Sequence, residues 1–349
     1  MIKKNRAQIT EFIIHKVGNK YNSTRNIFSD KTLLFDEGSY PLIFNFLLKS
    51  FTNLTESYRF HHHADVALNE MNSYTESLFK NEGDFVEVSQ NIVKHLYEQS
   101  NSANIKIGDV MIVRFVDIEI NEILTDAIGV FKIETKSDFF QTYVEDGQVE
   151  ILLAEGISTK KLDKGCLIIN TTDAEGKIIL SVDTNTYDAQ YWIKNFLQIK
   201  PADDSNSHTK NYMEFCASFS EEVIKENFGN KQQSEFLANT IDYFKENDNV
   251  NTDDFKSTIF EEEKHVELFD DYKKQYETEG SIMLRNNFVV ADKVVKKEKK
   301  NFKSEIKLDT NISIKVDVDA PDAAQYYLER GFDDEKKMFY YKVFFNEEK

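Results

Sequence analysis

The sequence predicts an α+β protein, with N-terminal helices and a mostly antiparallel sheet, then a helical layer and a smaller C-terminal β region. Three observations carry that expectation. Between residues 105 and 180, short runs of β-branched and aromatic residues are separated by Asp/Gly-bearing turns. Between residues 188 and 276 the apolar residues recur at helical spacing, and the chain ends in two aromatic-rich runs around a turn.

Taken in order, Ile9, Phe12, Ile14 and Val17 lie among polar residues and lead to the turn Gly18-Asn19, which predicts a strand. Pro41 opens a segment, Leu42 to Leu48 and on to Phe51, too densely apolar for a half-exposed strand; a buried helix with proline in its first turn fits it. Asp84 and Glu87 mark a helix start, and Phe85, Val88, Ile92 and Leu96 then share one face. Five strands are expected at Val110 to Val116, Ala127 to Ile133, Val149 to Leu153, Cys166 to Ile169 and Lys177 to Leu180. Their connections are too short to hold crossover helices, which predicts an antiparallel meander.

Trp192, Phe196 and Ile199 restore the helical period as far as Pro201, and Tyr212, Phe215, Phe219 and Val223 continue it. The polar stretch Ala202 to Lys210 predicts a domain boundary, giving residues 1–201 and 202–349. Amphipathic segments around Phe236 to Phe244 and Val266 to Tyr276 fill the helical layer. From Ile282 onward short strands are expected, with a final hairpin around Gly331 to Lys337, flanked by Tyr326 to Leu328 and Met338 to Phe345.

The composition is that of a folded globular protein: 40% hydrophobic residues, with 28 Phe and 16 Tyr supplying much of the bulk. Cys166 and Cys216 sit in apolar contexts that suit reduced, buried thiols better than a disulfide. No membrane span or signal-peptide core is present, so a cytoplasmic location is expected. The net charge of −18 argues against indiscriminate coating of nucleic acid, because polyanion binding depends on Lys and Arg displacing counterions. That charge is uneven: basic stretches at residues 1–60 and 281–315 flank an acidic one at residues 211–280.

Among chemical motifs, His61-His62-His63 with Asp65 is the main metal candidate, but consecutive side chains diverge and at most two could share an ion without ligands from elsewhere. Glu261-Glu-Glu-Lys-His265 lacks two histidines four apart and reads as a solvated helix face, while Asp203-Asp204 and Asp333-Asp334-Glu335 read as turns. Phosphate-binding Gly-rich loops and nucleophile motifs are absent. The expectation is a noncatalytic protein without metal or cofactor, and a metal-dependent nuclease using His61 to His63 is the weaker alternative.

Electrostatic content concentrates in Lys293, Lys296, Lys297, Lys299 and Lys300, extended by Lys303 and Lys307, with Phe302 interleaved. Such a run can reach consecutive phosphates; its bland counterpart is a solvated edge strand or loop whose lysines block sheet aggregation. A second basic set, Lys16, Lys20 and Arg25, surrounds Gly18-Asn19 and could clamp a phosphate beside a tight turn.

Ile13-Ile-His-Lys-Val-Gly-Asn-Lys20 resembles the early motif of the nucleoid-associated NdpA/YejK family. Later blocks follow in the same order: Gly108 to Val113, Ala127 to Ile133, Lys161 to Ile169, Asp188 to Leu197, Phe302 to Asp309 and Tyr340 to Phe345. The resemblance is collinear from end to end and implies association with the bacterial chromosome. Joined to the charge pattern, it gives the expectation of a nucleoid protein that contacts DNA, in preference to RNA, through a localised lysine-rich face. The acidic middle departs from a coating protein and supplies the rival expectation, a scaffold whose residues 211–280 bind a basic protein partner, with homo-oligomers compatible with either.

Overall fold

A computed structural model describes residues 2–171, 176–184, 190–280, 282–302, 304–316 and 327–347. The chain divides into two compact units, residues 1–202 and 203–349. Its class is α+β, with a mostly antiparallel eight-stranded sheet in the first unit and small sheets near the C-terminus.

The first unit contains, in order, β1 (Ile2–Lys3), β2 (Gln8–Val17), α1 (Ser39–Leu48), β3 (Tyr58–Phe60), α2 (Glu70–Phe79) and α3 (Phe85–Glu98). These are followed by β4 (Gly108–Ile120), β5 (Ile123–Ile133), β6 (Lys136–Glu145), β7 (Gln148–Ile157), β8 (Lys164–Ile169), β9 (Ile178–Asp183) and β10 (Ile199–Pro201). The sheet runs β1-β4-β5-β8-β9-β3-β10, with β2 also paired to β4. Strands β4, β5, β8 and β9 form the expected antiparallel meander. The apolar run Val149 to Leu153 is not part of it: β6 and β7 leave the sheet between β5 and β8 as a separate two-stranded ribbon.

Alternation along the strands gives the sheet two apolar faces. Ile13, Ile112, Ile128, Cys166 and Ile168 face a layer containing Ile92 and Leu96 of α3 together with Trp192 and Phe196. Phe12, Val113, Phe115, Phe131 and Leu167 face Phe46, Leu47 and Leu48 of α1. Helix α3 starts where its sequence signal lies, the Asp84 carboxylate accepting from the Glu87 N–H at 2.9 Å. The segment around Trp192 is π-helical over Gln190–Leu197, and Ile199 belongs to β10, paired with Phe60, instead of continuing that helix.

His15 is buried between α3 and the loop after β2, with Nε2 2.9 Å from Ser89 Oγ and Nδ1 accepting from the Ser29 N–H at 3.0 Å. Burial disfavours the imidazolium and lowers its pKa from 6.5 to about 4. Between those values the unfolded chain binds a proton that the folded one refuses, so stability falls as pH drops from 6.5 to about 4 and is flat in this respect below. The gap corresponds to on the order of 3 kcal/mol. Urea midpoints of wild type and His15→Gln are expected to converge by that amount across this pH window; parallel pH profiles would show that the imidazole meets water.

The second unit contains α4 (Ser205–Phe219), α5 (Lys225–Phe228), α6 (Asn230–Glu246), β11 (Asn249–Asn251), α7 (Thr252–Ile259), α8 (Glu263–Gly280), β12 (Asn287–Val289) and α9 (Asp292–Glu298). Beyond them lie the hairpins β13 (Ser304–Lys307) with β14 (Ser313–Val316) and β15 (Leu328–Asp333) with β16 (Met338–Val343). The polar stretch after Ala202 is mostly the first turns of α4, capped by Asp204 accepting from the Ser207 N–H at 2.9 Å. The core is strongly aromatic: Tyr212, Phe215 and Phe219 of α4 meet Phe244, Phe255 and Phe269. Both cysteines, one in each unit, are buried free thiols; burial pushes Cys166 up to about 12 and Cys216 well above its ordinary value.

Candidate nucleic-acid interface

The lysine run from Lys293 to Lys300 is helical, where the sequence suggested an edge strand or loop. It forms α9 and a 3-10 turn, Lys299–Asn301. The reason lies on its inner side. Val294, Val295 and Glu298 are buried at positions i, i+1 and i+4, which share one face of a helix and would alternate in a strand. Lys293, Lys296, Lys297 and Lys300 recur at i, i+3, i+4 and i+7 on the opposite side, and all four are exposed. Lys299 is half-buried at the margin of that stripe.

Several contacts hold the helix in place. The Ala291 N–H donates to Thr209 Oγ1 of α4 at 3.0 Å, and α9 packs on α4 and α6. Phe302 is 1% exposed within the aromatic core, so it anchors the end of the lysine segment and offers no ring for base stacking. Asn301 Nδ2 donates to Glu298 Oε2 at 2.7 Å, which satisfies the acidic residue of the run on its buried side. Lysines in the last turn also complement the partial negative charge of the helix C-terminus. Lys303 lies outside the described residues, and the backbone of Lys307 ends β13 opposite Ser313.

The second predicted set belongs to the first unit. Gly18 is dictated by close approach: a Cβ there would lie 2.1 Å from the Thr24 carbonyl oxygen. Buried Asn19 donates to the Ser102 and Ile105 carbonyls at 2.9 and 2.6 Å, fixing the loop. Lys16 faces Asp109 across β2 and β4 with Nζ 3.9 Å from Oδ1, and Lys20 is ion-paired with Glu98. Arg25 is exposed and has no ion-pair partner among the described residues.

Lys16 and Arg25 line a cleft of about 370 Å3 together with Lys136, Asp109, Glu134 and Glu155. Lys136 pairs with Asp109 at 3.4 Å and Glu155 at 3.8 Å, so carboxylates already balance most of the positive charge in this cleft.

His61 to His63 form part of the connection after β3. The His62 and His63 rings lie 4.2 Å apart, and His62 Nδ1 accepts from the Ala64 and Asp65 N–H groups at 3.3 and 3.4 Å. Among the described residues no three His, Cys, Asp or Glu side chains gather as a metal site. Glu263 to His265 lie in the first turn of α8, and Asp333 caps the last hairpin turn by accepting from Glu335 and Lys336 N–H groups at 3.0 and 2.9 Å.

Charged groups that composition could not reveal are buried in the sheet. Lys132 and Lys164 are both 0% exposed and directly opposed across β5 and β8. Lys132 Nζ lies 2.7 Å from Glu134 Oε1 and donates to the Lys106 carbonyl at 2.6 Å, and Lys164 Nζ lies 2.7 Å from Asp183 Oδ1. The signal available in the sequence was a lysine placed where strand alternation points inward.

A family profile for nucleoid-associated protein YejK matches residues 13–337 of the chain. Comparison with curated proteins finds no match.

Proposed function

The chain belongs to the family of nucleoid-associated protein YejK, and from that premise we propose that it joins the nucleoid by direct, noncatalytic contact with DNA phosphates through the outer face of α9. The observation that carries this reading is the exposed stripe Lys293, Lys296, Lys297 and Lys300 on a helix whose inner side is fixed in an aromatic core. Packing of the inner side fixes the helix backbone from which the four lysines project, so the segment itself needs no folding to engage a phosphate backbone. Lys299 borders the same stripe, Lys303 and Lys307 follow it in sequence, and Arg25, with Lys16 and Lys20, supplies a subsidiary contact. Phosphate contacts carry no sequence information, so binding is sequence-tolerant, and the choice of DNA over RNA rests on the family's association with the nucleoid.

Affinity for a short DNA duplex, read by fluorescence anisotropy over a salt series, tests the proposal. Each phosphate contact contributes about 0.9 to the slope of log K against log salt. Replacing Lys293, Lys296, Lys297 and Lys300 by Gln is expected to lower that slope by about 3.6 and to weaken binding by roughly 1,000-fold near 0.1 M salt. An unchanged slope in a folded variant removes α9 from the interface.

A second reading rests on the acidity of residues 211–280, where many of the cations are paired within their own or a neighbouring helix, as in Lys225 with Glu221 and Lys256 with Asp270. That surface suits a basic protein partner, with the chromosome reached indirectly. Wild-type protein that ignores DNA even at low salt would favour it.

A further inference from the structure

A cleft of about 220 Å3 opens in the second unit where α5 and α6 meet the turn between α7 and α8. Its floor is aromatic. Phe228 ends α5, Phe236 belongs to α6 and Phe260 follows α7; the Phe236 and Phe260 rings stack 5.8 Å apart, inclined by 11°. Phe236 is buried, whereas Phe228 and Phe260 are half-buried and keep ring surface within reach of solvent. The rim is acidic: Glu235 stands on α6, and the exposed Glu261 and Glu262 precede α8. His265 closes one end, its ring edge-on to Phe228 at 4.4 Å. Among the described residues no lysine or arginine lines the cleft.

We infer that this cleft takes one arginine side chain from a basic segment of a protein partner, the guanidinium lying on the Phe260 ring and facing the carboxylates of the rim. The inference rests on the reading that residues 211–280 meet a basic partner, and it names the site within that surface. Size and charge carry the choice of occupant. The cleft is smaller than the roughly 300 to 1,000 Å3 of a pocket for a drug-sized molecule, which suits a single long side chain. An apolar anchor would satisfy the rings but draw uncompensated carboxylates out of water, and an anion would be repelled. A cation meets both, since aromatic faces attract it and carboxylates neutralise it. A guanidinium does so better than an ammonium, because it is planar, weakly hydrated and able to stack while its edge donates to carboxylates.

The rim is not explained by local structure alone. Glu261 and Glu262 benefit from the partial positive charge at the start of α8, a sufficient reason for acidic residues there. Glu235 lies beyond the first turn of α6 and reaches the same rim from the opposite wall; its ion pair with Lys231, at 3.8 Å, joins partly exposed groups and holds it weakly. The rings already receive a cation of this chain: Lys264 Nζ lies over Phe228, 5.8 Å from its centroid, which makes Phe260 the ring for an incoming one.

Fluorescence anisotropy with the full chain provides the test. The probe is a labelled peptide of alternating lysine and glycine with one central arginine, and its twin carries lysine at that place, so the two have equal charge. Wild type is expected to bind the arginine peptide about five- to tenfold more tightly than the twin at low salt. Phe260→Leu keeps an apolar side chain in the core but removes the ring, and Glu261→Gln/Glu262→Gln changes only exposed positions. Each is expected to reduce the preference below about twofold while its circular dichroism melt matches wild type; should Phe260→Leu unfold, the glutamine pair decides. Twins bound equally by wild type, or a preference that survives either substitution in a folded variant, overturn the cleft and leave the acidic-surface reading standing. Failure of wild type to bind either peptide at low salt overturns both.

Discussion

Replacing Lys164 by Met is expected to cost the first unit about 3 to 5 kcal/mol, measured as a shift of its urea transition. The ammonium group is 0% exposed and sits 2.7 Å from Asp183, whose side chain is 9% exposed. Removing the cation leaves a carboxylate that has lost its nearest opposite charge in a region poor in water, and the Coulomb attraction lost there greatly exceeds that of a surface pair. The double variant Lys164→Met/Asp183→Leu is expected to recover most of the loss, because two apolar side chains need no charge partner. A single-variant cost below about 1 kcal/mol would show that water reaches the pair.

Phe219→Ala is expected to cost about 3 to 5 kcal/mol in the second unit. The Phe219 ring, 0% exposed, lies 5.2 Å from Phe269, 5.4 Å from Phe236, 5.6 Å from Tyr272 and 6.2 Å from Phe260, centroid to centroid. Truncation removes a side chain from several edge-on and tilted contacts at once, and rings of that size cannot collapse into the void without moving α6 and α8. Differential scanning calorimetry should show the loss in one of two transitions; a uniform shift of both would mean that the units unfold as one.

Most of the architecture was legible because its signals are local. Asp84 and Glu87 start α3, and the apolar alternation of β4 and β5 is plain in the sequence. Helix α2 was not legible: Glu70 to Phe79 buries Met71, Thr75 and Leu78, too few apolar residues to declare a face. The ribbon misled for a different reason. Val149 to Leu153 has the same composition whether a strand lies inside a sheet or projects from it, and only pairing with Lys136–Glu145 decides.

At the candidate interface the charges were legible but their environment was not. Two adjacent valines among lysines resemble a strand until Glu298 is found buried with them. Nothing local to Lys16 or Lys20 reveals that Asp109 and Glu98, far along the chain, stand beside them.

Helix α9 divides its labour by face. Val294, Val295 and Glu298 are committed to packing, whereas exposed helical positions such as Lys296 and Lys300 tolerate exchange at a cost usually within about 0.5 kcal/mol. The strength of an electrostatic grip can therefore drift, rise or vanish among descendants of this chain without endangering the architecture that presents it.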